Sequence, residues 1–419
     1  NLRRDFQGTH ERLKAQHFNG YHSLHNTAQF KRRFRVSLAT FERICGSLLG
    51  KGPFRETVDA VGKKGINPLV RMTVACRMLG CGTAADCQDE QWQMASTACQ
   101  NAVKNFCCLL VAAFGNQHLN RSPTPSEKAR ILKKNQSRNF PGCFASWDCK
   151  HFVWDKCPVA LQGQHKGHSE GGKHTKILEA IADDSCYFWF INFGDPGSLN
   201  DTNVLDKSSI VGGLLSGHLN IKTEPCWING TRRDWMHFLV DGTHPDWAIF
   251  VKNVPPSARR NESDKCYSKH QEFFRKDIER AFGILVKKFH VLSRPVRYWN
   301  EETLKLTVHA CAILHNMCCE ERIQELGAED VSLEEEDHER HCEATDPRND
   351  DANVNSIFSR LPTVDEMDQT DLEDVMNQRF ARANALHHLL VDPAMHHKLH
   401  NDLYKQINSK RMSNDDNDN

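Results

Sequence analysis

The sequence has no long apolar run. A membrane-spanning helix needs roughly 18 consecutive apolar residues, and the longest stretch, Cys107 to Phe114, falls far short. The opening residues, NLRRDFQGTH, lack the apolar core of a secretory signal, so an intracellular chain with no membrane association is expected. The chain begins with Asn rather than Met, as a fragment or a trimmed gene product would. Paired CxxC knuckles are missing too, although there are 17 cysteines, an odd number. That spacing gives zinc little support, and reduced thiols acting as small apolar residues are the expectation. Net charge is also absent: 54 Lys and Arg balance 54 Asp and Glu.

That balance is uneven along the chain. Residues 1–150 hold 23 basic against 10 acidic side chains, a net of +13. Residues 151–320 hold 21 against 20, and residues 321–419 hold 10 against 24, a net of −14. A basic front is a reason to expect a polyanion such as nucleic acid as partner. The plain alternative is a solvated surface followed by a disordered acidic tail. With 419 residues, 39% hydrophobic and 26% charged, the chain has room for two or three domains and a sizeable core.

Residues 1–35 form a basic polar segment that ends in FKRRFR. From 36 to 115 the apolar spacing is helical. Val36, Leu38, Phe41, Ile44, Leu48 and Leu49 recur at close to helical spacing. Asn67 and Pro68 open a second helix as cap and first-turn residue, and GCGT at 80–83 breaks it. A third begins near Ser96 and runs to Gly115. Helix, break, helix is the pattern of a helix-turn-helix, whose recognition helix would present Ser96, Thr97, Gln100, Asn101 and Lys104 to DNA. A plain helical bundle with a polar face has the same pattern. Residues 116–140, with Ser-Pro-Thr-Pro at 122–125, are expected to be a polar linker.

At Pro141 the character changes. CFASWD (143–148), Thr175 to Ala182, Cys186 to Phe193 and Met236 to Val240 are short β-prone runs. Glu272 to Phe289 has helical spacing, with Phe273, Phe274, Ile278, Phe282 and Leu285 on one side, and Glu301 to Cys319 predicts another helix. Strands followed by helices predict an α/β domain with a mixed sheet over 141–320. Acids punctuate these elements: Asp148 closes the first strand, Asp241 closes the fourth, and Glu279 lies within the helix. Strand-end acids face the crevice where an open sheet places its site. Converging carboxylates repel one another unless a divalent cation neutralises them, and hard oxygen ligands suit Mg2+ or Mn2+. Singly, each acid has a bland account, since Asp after a strand caps turns and Glu on a helix is usually solvated. The stretch 321–370 is acidic and expected to be disordered, with helix re-forming in 371–410.

Seven longer strings stand in order along the chain: FKRRFRVSLATFERI, FPGCFASWDCKHFVWDKCP, HTKILEAIAD, FGDPGSLNDTNVLDKS, FLVDGTHPDWAIFVK, RKDIERAFGILVKKF and ILHNM. On these strings the chain from Phe30 to Cys319 resembles the plant-type transposases of the PIF/Harbinger superfamily, the Pong-like members in particular. AMHHKLHNDL at 394–403 is similar to that family's C-terminal helix. The resemblance implies an RNase H-like fold carrying a DDE nuclease site. Its catalytic acids carry over as Asp148 in D-C-x-H, Asp241 in D-G-x-x-P and Glu279 in E-R-x-F-G, with Asp201 in the N-D string as a further metal ligand.

The implied cofactor is Mg2+ or Mn2+. The implied reaction is phosphodiester hydrolysis at the terminal inverted repeats of a transposon, followed by strand transfer into an A/T-rich target. Arg280, Lys287 and Lys288 would position the phosphate backbone. Lys150 and His151 follow the first acid, and His151 either touches a phosphate or bonds a backbone carbonyl. A Myb-like accessory protein, a homo-oligomer and a nuclear location go with the resemblance. The loop HKGHSEGGKH (165–174) departs from it, being longer and more polar than the usual connection. Two other functions fit the sequence. One is a domesticated descendant that binds DNA or protein without cutting. The other is a transcription-factor-like module acting through residues 66–115, with the acidic tail recruiting partners.

Overall fold

A computed structural model of the protein describes residues 4–167, 171–216, 219, 221–293, 298, 300–327, 381 and 383–415. Most of the acidic segment expected at 321–370, and residues 371–380, lie outside the described residues. The fold is mixed α/β, a mixed sheet flanked by helices.

Among the described residues, α-helices α1 (Phe6–His17), α2 (Thr27–Phe34), α3 (Leu38–Leu48), α4 (Pro68–Cys81), α5 (Cys87–Trp92), α6 (Ser96–His118) and α7 (Pro125–Ser137) precede the sheet. Local chemistry sets their starts. Asn67 caps α4 by accepting from the Leu69 amide at 2.9 Å, with Pro68 in the first turn. Gly82, at φ 61°, ends that helix in the left-handed conformation. Helix α7 occupies the segment expected to be a linker. Its Ser-Pro-Thr-Pro string is a start signal: Thr124 and Glu127 form a capping box and Pro125 opens the first turn. The helix lies against the first strand, where Asn135 donates to the Cys143 carbonyl at 3.0 Å.

The strands β1 (Cys143–Val153), β2 (Thr175–Ala182) and β3 (Phe188–Pro196) form an antiparallel meander. The short helix α8 (Gln162–His165) lies between β1 and β2, and α9 (Asp201–Lys207) and α10 (Ser209–Ser216) follow β3. A hairpin then intervenes, β4 (Lys222–Ile228) and β5 (Thr231–Trp235), turning at Asn229 and Gly230, both with positive φ. Strands β6 (His237–Leu239) and β7 (Phe250–Val251) complete the sheet in the order β3-β2-β1-β6-β7. The β1–β6 and β6–β7 pairs are parallel. Helices α11 (Glu262–Arg275), α12 (Asp277–Lys288) and α13 (Glu301–Leu326) and a C-terminal helix (Pro393–Asp415) follow. This topology is compatible with an RNase H-like fold.

Two expectations change here. The first strand does not stop at Asp148 but pairs with β2 as far as Val153 opposite Thr175. Asp148 instead marks the level at which the shorter parallel partner, β6, has ended. The helix expected over 272–289 is two helices meeting at Lys276. Buried Asp277 opens the second, its carboxylate held by Arg138 at 2.6 Å and by Arg280. Phe273 consequently does not share the apolar side of Ile278, Phe282 and Leu285, and is 64% exposed.

The helical front and the sheet share a core. Phe106, Leu110 and Phe114 of α6 pack in the same cluster as Val74 of α4, Ile313 and Leu314 of α13, and Leu178 and Phe188 of the sheet. β2 is buried along its whole length, because this cluster covers one face and a second, around Trp147, Ile181, Phe238 and Phe250, covers the other. No helix among the described residues is long and apolar enough to cross a membrane.

Candidate functional site

Strand register brings the first two acids together. Ser146 of β1 is level with Leu239 of β6 in a parallel pair. Two residues on, Asp148 and Asp241 are therefore level and on one face, since side chains alternate with period two. β1 continues into the antiparallel meander while β6 is reached by a long connection, so this edge is where the chain direction switches. Gln271 of α11 fixes the end of β6, donating to the carbonyls of Val240 and Val251, both at 2.9 Å.

Asp201 arrives on the first turn of α9, which Asn200 caps by accepting from the Asn203 amide at 2.8 Å. The loop before it needs Gly197. Its amide donates to the Thr175 carbonyl at 2.9 Å, and a Cβ there would stand 1.8 Å from the Thr175 hydroxyl oxygen. The Thr243 hydroxyl lies 2.7 Å from Asp201 Oδ2 and also against Asp241 Oδ1. One hydroxyl proton serves one carboxylate at a time, so this pair of acids is left with unbalanced negative charge. His244 follows. Its ring is fully buried, its Nδ1 is 3.8 Å from Asp241 Oδ1, and neither ring nitrogen has a hydrogen-bond partner. One oxygen each of Asp201 and Asp241 and one His244 nitrogen all lie within 4.8 Å of one another.

Glu279, on the first turn of α12, is joined to Asp148 through Arg275. The guanidinium is 2.7 Å from Glu279 Oε1 and 3.1 Å from Asp148 Oδ2. Burial pushes the Asp148 carboxyl up to about 6, and the Asp241 charge adds to this, against the lowering effects of the Cys149 amide, Arg275 and His244. Asp241 goes the other way. The neighbouring His244 ring, and then the Thr243 hydroxyl and amide, hold its carboxyl well below the usual range despite partial burial. Neighbouring acids with pKa values pushed apart recur at functional sites and also in structural ion-pair networks.

The remaining residues singled out from sequence are spread wider. Thr97, Gln100, Asn101 and Lys104 are exposed on α6, and Ser96 at its start is half-buried. Lys287 is exposed and Arg280 is half-exposed against Asp277. Lys288 is 4% exposed and lies beside Cys318, which corrects its placement among surface phosphate contacts. Helix α12 is amphipathic, and Lys288 falls on the same side as Leu285. His151 Nδ1 bonds the Thr175 hydroxyl at 2.9 Å. Sequence reasoning missed Arg275, Thr243 and His244. Their one signal was adjacency, in RKDIE and DGTHP, to acids already chosen.

The family model described as plant transposon protein matches residues 117–325, a span that contains all four acids. A curated protein from Arabidopsis thaliana, "Protein ALP1-like", is 24% identical over 329 residues, covering 76% of this chain and 77% of its own length. These matches support a transposase-derived family. A transposase-derived chain implies DNA binding. No solved structure matches the chain.

Proposed function

We propose that this chain is a metal-dependent DDE-type transposase of the PIF/Harbinger kind, with an RNase H-like nuclease domain over 141–320. It cuts phosphodiester bonds at transposon terminal inverted repeats and joins the ends to A/T-rich target DNA. The observation that carries this is the convergence of Asp148, Asp241 and Asp201 on one cleft, with Glu279 tied in through Arg275. A divalent cation fits these residues: Asp201 and Asp241 share a single hydroxyl proton, and a buried imidazole beside them has no other partner. Asp148, Asp201, Asp241 and Glu279 would hold Mg2+ or Mn2+, which supplies Lewis-acid activation of water and of the scissile phosphate.

The chain's own groups do the rest. Arg275, bound to two of the acids, is the guanidinium nearest to where a phosphate would approach Asp148. Arg280 and Lys287 hold the backbone alongside α12. Thr97, Gln100, Asn101 and Lys104, with Ser96, offer a second DNA contact on α6, as a helix-turn-helix would. A nuclear location, a Myb-like partner and self-association belong to the same proposal.

The test is nicking of inverted-repeat DNA by the purified chain, with a Myb-like partner present, in Mg2+ or Mn2+. Nicking by the native chain and none by Asp148→Ala is the expected outcome. Equal nicking by both chains sinks the assignment. A second function, DNA or protein binding without cleavage, is favoured by Arg275 neutralising Asp148 and Glu279 from within. Tight DNA binding with no cleavage in either metal selects it.

A further inference from the structure

His244 is costly as it stands. A fully buried imidazole with no hydrogen bond at either nitrogen gives up its water contacts and keeps only a long 3.8 Å approach to Asp241 in return. Buried polar groups are nearly always bonded, and one that is not leaves room for a bridging water or an ion. The surroundings hold the ring in place. Phe250 meets it edge-on at 5.6 Å, and Lys252 Nζ donates to the His244 carbonyl at 2.8 Å. Asp241 Oδ1 lies 3.8 Å from Nδ1, too far for a hydrogen bond. Both acids and the imidazole nonetheless offer one donor atom each within 4.8 Å of one another. A small cation between them would bond all three.

We infer that Asp201, Asp241 and His244 form a mixed nitrogen–oxygen site that selects a transition-metal dication, with Mn2+ preferred over Mg2+. The inference rests on the metal-nuclease function only in sharing Asp201 and Asp241 with it. Mg2+ favours all-oxygen shells and keeps its waters. An imidazole ligand adds affinity for first-row transition ions, so His244 gives the site a preference that carboxylates alone lack. His244 is positioned for this by its own chain, two residues beyond the Asp241–Gly242 turn.

The test uses the full chain without DNA. Bound Mn2+ is followed by pulsed electron paramagnetic resonance for nitrogen coupling, and Mn2+ and Mg2+ affinities are measured by calorimetry. The native chain should show histidine nitrogen coupling. His244→Phe, which keeps an aromatic ring against Phe250, should lose that coupling and weaken Mn2+ about tenfold or more, with Mg2+ changed far less. Asp201→Asn should weaken both metals and also lose the coupling, which keeps the inference decidable if His244→Phe does not fold. Absence of nitrogen coupling in the native chain, or its persistence in folded Asp201→Asn, overturns the inference. The two ideas fail separately. Nitrogen-coupled Mn2+ in a chain that never nicks DNA removes the nuclease and leaves this site. Nicking with no nitrogen coupling does the reverse.

Discussion

Two pairs of carboxylates meet in this cleft and are neutralised in different ways. Asp148 and Glu279 share Arg275, a cation that the chain supplies itself. Asp201 and Asp241 share only the Thr243 hydroxyl, beside a buried imidazole with nothing to bond. The first pair has a cation supplied by the fold, and the second has the Thr243 hydroxyl and, at Asp241, the Thr243 amide. Under the proposed function the difference would set an order of events: a metal would enter first at Asp201 and Asp241, and Arg275 would yield Asp148 and Glu279 afterwards. It also gives a physical reason for an arginine in such a cleft, since its guanidinium holds two acids in place.

The largest effect that would break this comparison is on cleavage. Asp241→Asn should lower metal-dependent nicking by at least ~10^3-fold, the size of effect seen when one member of a cooperating catalytic set is removed, while the fold persists by circular dichroism. Arg275→Ala comes next. Without its guanidinium the two acids repel, and the metal-free chain should lose about 2 kcal/mol of stability in denaturant titration. Saturating Mn2+ should restore most of that loss if the acids are then metal-bound, and no restoration would falsify the exchange of Arg275 for a cation.

A pH series sharpens the same contrast. The folded Asp148 carboxyl ionises at about 6 against an ordinary 3.8. The native fold therefore takes up a proton more readily than the unfolded chain, and ionising this group costs stability above about pH 6. In the absence of metal, Asp148→Asn should stabilise the chain by roughly 1–3 kcal/mol at neutral pH. That gain should fade as pH falls from 6 towards 3.8, below which the native chain's carboxyl is protonated in both folded and unfolded states. Thermal melts with and without Asp148 across that window decide it. The smallest effect concerns DNA. Lys287→Ala should reduce the salt dependence of DNA binding by about one charge, whereas buried Lys288 replaced by Met should leave it unchanged.

Much of the architecture was legible because its signals are local. The caps at Asn67 and Thr124 involve residues no more than three apart, and the strand over Thr175–Ala182 stands where its composition puts it. Asp201 and Glu279 stand in the first turns of helices and Asp241 just beyond a strand, where sequence reading looks for them, whereas Asp148 lies within β1, at the level where β6 has ended. What escaped depends on distance in space. Asn135, on the helix that replaces the expected linker, bonds the carbonyls of Cys143 and Phe144. The break at Lys276 reflects Asp277 turning to Arg138, a partner 139 residues away. Arg275 looks like any surface arginine until α11 sets it between Asp148 and Glu279. His244 is legible as a ligand only once its ring is seen to be buried and unpaired.

The C-terminal helix, with Leu390 just ahead of it, has a bearing on synthesis. Arg233 of the hairpin pairs with Asp402 at 2.8 Å, the Trp247 carbonyl meets His396 at 3.0 Å, and the Ala248 amide donates to Leu390 at 2.7 Å. These contacts brace the hairpin that leads into β6 and the turn that leaves it, on either side of Asp241. A ribosome therefore finishes the acids of the cleft long before it makes the residues that brace them. Messages cut short ahead of residue 390 would yield chains with all four acids but an unbraced second strand end, so translation itself separates having the site from being able to use it.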